Sequence, residues 1–395
     1  MKKIISMLTI SALALGSIFA DVSLEFTQKA YLYGEGGEKL QFSGYDDSKG
    51  CVKFTVKNDN AGVLLDIDPK LTQATPDKGS VGFDQYTGWV NFGNGAFKLQ
   101  SGVWTARSVN RFNGNSGKWK GSEYEKYKYG VAKGTIAQDI NNIASVNVKG
   151  DKSYSAKSFL SSALTFNTNG FYATGILLGL DDKGKKSAGD YGTLDFCSGF
   201  GVEMGMNIGE GSKLTVNLKT PKNKAVAFGA FFENKSLKEN LDFVVGYTFG
   251  KASDDKFETA LDLRASYDLS ETVKVTTMHN LSYYTKGLEY YDTNTEGFVN
   301  LKNGQFDLWD MVSLSVKTSD NILVMLTAQW EYNDLREKNN TVDKDRKSTL
   351  ELIPSVTYTA TKGVDVSSGL IIKTTGWGEP STAKFAIPFL LHVAL

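Results

Sequence analysis

The sequence predicts an all-β protein, a transmembrane antiparallel up-and-down β-barrel of about eighteen strands with sixteen as the alternative, and three observations carry that prediction. Apolar residues recur at every second position in runs of roughly ten. Short turns and long polar connections alternate between the runs. After Asp21 no stretch of 18 or more apolar residues could form a membrane-crossing helix. Composition agrees: 40 Gly, 18 Tyr and 23 Phe against 6 Pro suit sheets, and the 41% of hydrophobic residues are spread as alternating runs and not as blocks.

The first twenty residues read as an export leader. Lys2 and Lys3 precede an apolar run from Ile4 to Leu15, then Gly16 and Ser17, with cleavage expected after Ala20. Residues 21–395 are then a single barrel domain. Without the leader the net charge is −2, which gives no support to nucleic-acid binding.

The clearest hairpin runs from Phe159 to Leu180. Leu160, Leu164 and Phe166 share one parity, Asn167 to Gly170 form the turn, and Tyr172, Ile176, Leu178 and Leu180 share a parity on the return. The form recurs from Phe196 to Leu218, from Phe257 to Val275, from Phe306 to Tyr332 and from Leu350 to Ile372. Thirteen strands are expected from Phe159 onward. Before it, strands are expected at 96–105, 80–92, 61–68 and 51–58, with one or two between 22 and 45. The opposite parity is polar: Glu258, Asp262, Arg264 and Asp268 in one strand, Asp307, Ser313, Ser315 and Lys317 in another. An apolar face outward and a polar face inward fits a barrel in lipid, although the strand period alone also fits a soluble sandwich.

Polar connections fall at 181–193, 285–305, 333–347 and 374–384. Tyr290, Tyr291 and Phe298 in the second of these are read as part of an aromatic girdle at the membrane surface. One long insertion, 106–157, stands apart, with ten cationic and four acidic side chains and so a net charge of +6. Loops of this length are usually functional or unstructured. Folded inward, it would set its cations against the acidic wall positions, narrow the lumen and favour anions. Arg107, Arg111, Lys118 and Lys120 are the candidate constriction residues. Outside the barrel it would be a solvated loop.

At the C-terminus Ile387, Phe389, Leu391, Val393 and Leu395 alternate to the last residue. This resembles the closing strand that bacterial outer-membrane β-barrel proteins present to the barrel-assembly machinery, with Leu395 standing where Phe or Trp is usual. The resemblance covers the leader, the last strand and the hairpin rhythm, and no narrower family motif is present. It implies residence in the outer membrane, outer-membrane lipid and the assembly machinery as partners, and a porin-like role in passive diffusion of small hydrophilic solutes, with a homotrimer as one assembly. The alternative is a surface antigen or adhesin that binds through its outer loops.

No enzyme, cofactor or metal site is expected. His392 lies on the inward parity and His279 on the outward one, neither with a recognisable triad around it. Cys51 and Cys197 have no Cys or His neighbour at metal-ligand spacing, and two cysteines do not make a disulfide framework.

Overall fold

The computed structural model describes residues 19–35, 41–43, 49–70, 80–104, 108–109, 140, 158–180, 199–220, 226–253, 256–285, 289–292, 297–300, 304–332, 348–375 and 383–394. In chain order the strands are β1 (Phe19–Glu35), β2 (Gln41–Ser43), β3 (Lys49–Lys57), β4 (Ala61–Lys70), β5 (Ser80–Phe92), β6 (Phe97–Val103), β7 (Ser158–Thr168), β8 (Phe171–Leu180), β9 (Gly199–Asn207), β10 (Ser212–Thr220) and β11 (Val226–Lys238). They continue as β12 (Leu241–Ser253), β13 (Lys256–Asp268), β14 (Val273–Tyr284), β15 (Glu289–Asp292), β16 (Gly297–Asn300), β17 (Gln305–Ser319), β18 (Ile322–Tyr332), β19 (Thr349–Thr361), β20 (Val364–Gly369), β21 (Ile371–Thr375) and β22 (Lys384–Ala394).

From β3 to β14 and from β17 to β19 each strand pairs antiparallel with the next, β1 pairs with β3 and β14 with β17, and β22 pairs with β1 from Glu25↔Ala394 to Glu35↔Lys384, so the sheet closes on itself. Within the 20-stranded sheet, β2 is a three-residue addition alongside β1, and β20 and β21 are halves of one strand broken at Leu370. Among the described residues, eighteen strands therefore form the ring. The break has a local cause. Pro354 of β19 has no N–H to give the ladder, and the Leu370 N–H donates to its carbonyl at 2.9 Å. β1 begins at Phe19, two residues before the expected cleavage point.

Eight tight turns, from the one joining β3 to β4 to the one joining β19 to β20, lie at one end of the ring with the start of β1 and the end of β22. Val103 and Ser158, the strand ends on either side of 104–157, lie at the other end. Gly363 shows why one turn needs its residue: its φ is +83°, and a Cβ there would lie 2.1 Å from the Ala394 carbonyl oxygen. The connection between β14 and β17 carries Tyr290, Tyr291 and Phe298. It contains β15 and β16, a two-stranded sheet of its own in which Tyr290 pairs with Val299 and Tyr291 with Phe298. At that end of the ring Phe249, Phe257, Tyr283 and Phe306 form an aromatic row, with successive ring centroids 5.9, 5.9 and 4.6 Å apart.

The two faces of the sheet invert the rule for a soluble protein. On β13, Leu261 and Leu263 are exposed, whereas Glu258, Asp262 and Arg264 are buried. The same alternation runs through β17, β18 and β19. A closed ring leaves no ladder N–H or C=O at a free edge, so an apolar outer belt can sit in hydrocarbon without unsatisfied backbone. Among the described residues no helix is long and apolar enough to cross a membrane. The inner face also departs from the uniformly polar parity expected. Phe231, Met278, Trp309, Met311 and Ile353 point inward and are fully buried.

Candidate functional site in the barrel lumen

Two stretches of inner wall face the lumen with different chemistry. On β13 to β21 the wall is acidic: Glu258, Asp262, Asp307, Glu331 and Glu351 are all at least nine-tenths buried. Period-2 geometry puts them on one face, and the register sets Asp262 beside Asn280 and Glu351 between Gln329 and Lys373. Asp262 accepts from Asn280 Nδ2 at 3.0 Å and lies 3.5 Å from Arg264 Nη2. Ser282 Oγ donates to Asn280 Oδ1 at 2.6 Å and Gln305 Nε2 to Asp307 Oδ1 at 2.5 Å. Glu351 accepts from Gln329 Nε2 and pairs with Lys373 Nζ at 3.1 Å. Burying carboxylates is tolerable when they are held in this way, as Asp262, Asp307 and Glu351 are.

On β8 to β12 the wall carries glycines that face inward, and neighbouring side chains lie flat across them. Tyr172 covers Gly205, where a Cβ would come within 2.0 Å of the ring, and Phe231 covers Gly246, where it would come within 2.7 Å. The Tyr172 hydroxyl donates to Glu203 Oε1 at 2.9 Å. Lys213 Nζ sits 5.3 Å from the Tyr172 ring centroid. That same ammonium donates to the backbone carbonyl of Ser108 at 2.7 Å.

The described residues of the long connection meet this second wall. Ser108 is held by Lys213, Val109 is buried, and Ile140 is fully buried with its Cγ2 3.0 Å from where a Gly229 Cβ would stand. Lys213 and Gly229 both face the lumen. The candidate constriction residues Arg107, Arg111, Lys118 and Lys120 lie outside the described residues.

Ile387, Phe389, Leu391 and Val393 lie on the outward parity of β22, the strand that closes the ring, and Leu395 is outside the described residues. His392 faces inward with Nδ1 3.6 Å from Asp365 Oδ2. His279 faces outward, and its Nδ1 is hydrogen-bonded to Asp310 Oδ1 at 2.5 Å. Asp310 was not singled out from sequence, although it interrupts the apolar series Phe306, Leu308, Val312, Leu314 and was visible as the odd member. Among the described residues no three His, Cys, Asp or Glu side chains gather as metal ligands would.

An apolar outer belt, a closed antiparallel ring and a polar inner wall define the class: a β-barrel of the membrane-spanning kind. No family model matches the chain, and no curated protein matches it in sequence. Solved structures do match in fold. The outer membrane protein OpdK from Pseudomonas aeruginosa superposes with a TM-score of 0.53 at 10% identity, over 95% of this chain and 98% of that one. OccK3 (OpdO) of the same organism gives 0.52 at 10% identity, over 95% of each chain. OccK10 (OpdN), also from Pseudomonas aeruginosa, gives 0.52 at 8% identity, over 95% of this chain and 99% of that one.

Proposed function

We propose that this chain is an outer-membrane channel through which small hydrophilic solutes diffuse passively, with segment 106–157 folded into the lumen as a basic constriction. The observation that carries the reading is the seating of Ser108, Val109 and Ile140 against inward-facing side chains of the ring. A segment with net charge +6 is drawn toward the acidic stretch of wall, and in a narrow low-dielectric passage its remaining cations favour anions. Arg107 and Arg111 stand nearest the end of β6 and keep their charge at any working pH. Diffusion needs no catalytic residue. In planar bilayers the purified protein is expected to show discrete conductance steps. The variant Arg107→Gln, Arg111→Gln, Lys118→Gln, Lys120→Gln should shift the reversal potential in a salt gradient toward cations and raise conductance. Unchanged values of both would put the segment outside the current path.

The outward row on β22 is proposed as the assembly signal. Changing Leu391, Val393 and Leu395 to Asp places charge on the lipid face, at about 1–3 kcal/mol each depending on depth. Outer-membrane levels of the folded variant should fall severalfold, and normal levels would refute this role. The surface-binding alternative has one observation in its favour, the separate hairpin β15–β16 with Tyr290 and Tyr291.

A further inference from the structure

The outer belt has one anomaly. At mid-strand, its outward positions among the described residues are apolar, small, hydroxyl-bearing or, at Gln28 on β1, a neutral amide, and the ionisable exceptions are His279 on β14 and Asp310 on β17. The two are direct register partners and are joined by the 2.5 Å hydrogen bond. They lie between the aromatic row containing Tyr283 and Phe306 on one side and the tight turn after Asp268 on the other. Around them the register places Leu263 beside His279 and Trp330 beside Asp310. The adjacent row is Ala265, Thr277, Val312 and Ala328, which is low compared with the Leu and Phe residues elsewhere on the belt.

Lipid is a poor occupant for this face. The Asp310 side chain is 9% exposed, but that of His279 is 39% exposed. The imidazole has a second ring nitrogen, Nε2, and Asp310 a second oxygen, each needing a polar partner that hydrocarbon cannot supply. The pair is, however, complementary to itself. At the usual strand spacing and tilt the two residues differ in depth by only about 3 Å. A two-fold axis along the membrane normal preserves depth and exchanges left for right. It therefore sets His279 of one copy opposite Asp310 of the partner subunit, and the reverse, with the low row of Ala265, Thr277 and Ala328 allowing close approach of the walls.

We propose that the outer face of β13, β14, β17 and β18 is a self-association surface, on which a second copy of this chain packs about a two-fold axis centred on His279 and Asp310. The proposal rests on the outer belt being embedded in a membrane and not on what passes through the lumen.

The test is native mass spectrometry of the full chain released from detergent micelles, with single-channel conductance measured in parallel. Wild type is expected as two copies. His279→Leu with Asp310→Leu removes ionisable groups from a lipid-facing surface and should still fold, resisting detergent until heated. It should run as one copy, with at least tenfold weaker association and unchanged conductance per barrel. The exchanged variant His279→Asp with Asp310→His keeps the self-complementary pattern and should return to two copies. A single-copy or three-copy wild type, a double-leucine variant that assembles as wild type does, or an exchanged variant that stays a single copy would each overturn the proposal. A loss of conductance steps in wild type that still forms two copies would count against the channel reading alone.

Discussion

The two stretches of lumen wall solve the same problem, how to line a water-facing interior, in opposite ways. On β13 to β21 the wall is built of standing polar side chains that interlock, as Asp262, Asn280 and Ser282 do. On β8 to β12 glycines leave bare backbone between buried polar side chains such as Glu203, Asn217, Lys219 and Glu233, and Tyr172, Phe231 and Ile140 are laid over those glycines. The first wall carries side chains throughout; the second is thin where its glycines stand, and a further piece of chain can approach it there. The difference explains why the described residues of the long connection sit on the glycine side, while the fixed negative charge that could attract its cations sits largely on the other.

The sharpest way to break the comparison is to thicken the thin wall. Gly205→Val forces Tyr172 off its seat and breaks its hydrogen bond to Glu203, and overpacking of this kind costs about 1–3 kcal/mol. The denaturant midpoint for unfolding should fall accordingly. Gly175→Ala, on the outward parity of the neighbouring strand with no atom within 4 Å of its added Cβ, is the control and should stay within about 0.5 kcal/mol of wild type. Equal effects of the two substitutions would mean that the inner glycines serve no seating role. A smaller effect is expected on the first wall. Asp262→Asn with Asp307→Asn and Glu351→Gln keeps shape and most hydrogen bonds but removes three negative charges. The anion-to-cation permeability ratio should rise by about twofold, the direction opposite to that of the four-cation variant. A fall, or no change, would assign the acids to packing alone.

Much of the architecture was legible in the sequence because alternation is a local property. The thirteen ring strands from β7 onward, the five before them, the outward row Leu261, Leu263 and the inward row Glu258, Asp262, Arg264 all follow from period 2 and turn residues. What was not legible depends on register between strands distant in sequence. The parity of His279 can be read from β14 alone, but that Asp310 is its partner follows only once β17 and not β15 is known to lie beside β14. The hairpin β15–β16 hid for the same reason, its four-residue strands being too short to show a period. The inner glycines were invisible as seats, since a Gly in a strand pattern does not say which neighbour will lie across it.

The pairing of β22 with β1 has a consequence for the history of the molecule. Until the last strand arrives, β1 presents an unpaired edge, and its true partner is almost the whole chain length away. Bringing the ends together costs on the order of 5 kcal/mol in chain entropy beyond the constant part of loop closure. Only the formation of the final ladder, from Glu25↔Ala394 to Glu35↔Lys384, offsets that cost. A chain paused before that step carries two open edges, either of which can recruit a strand from another molecule. The seam is thus the pairing in the ring with the largest loop-closure cost, and a ring open there is exposed to wrong partners.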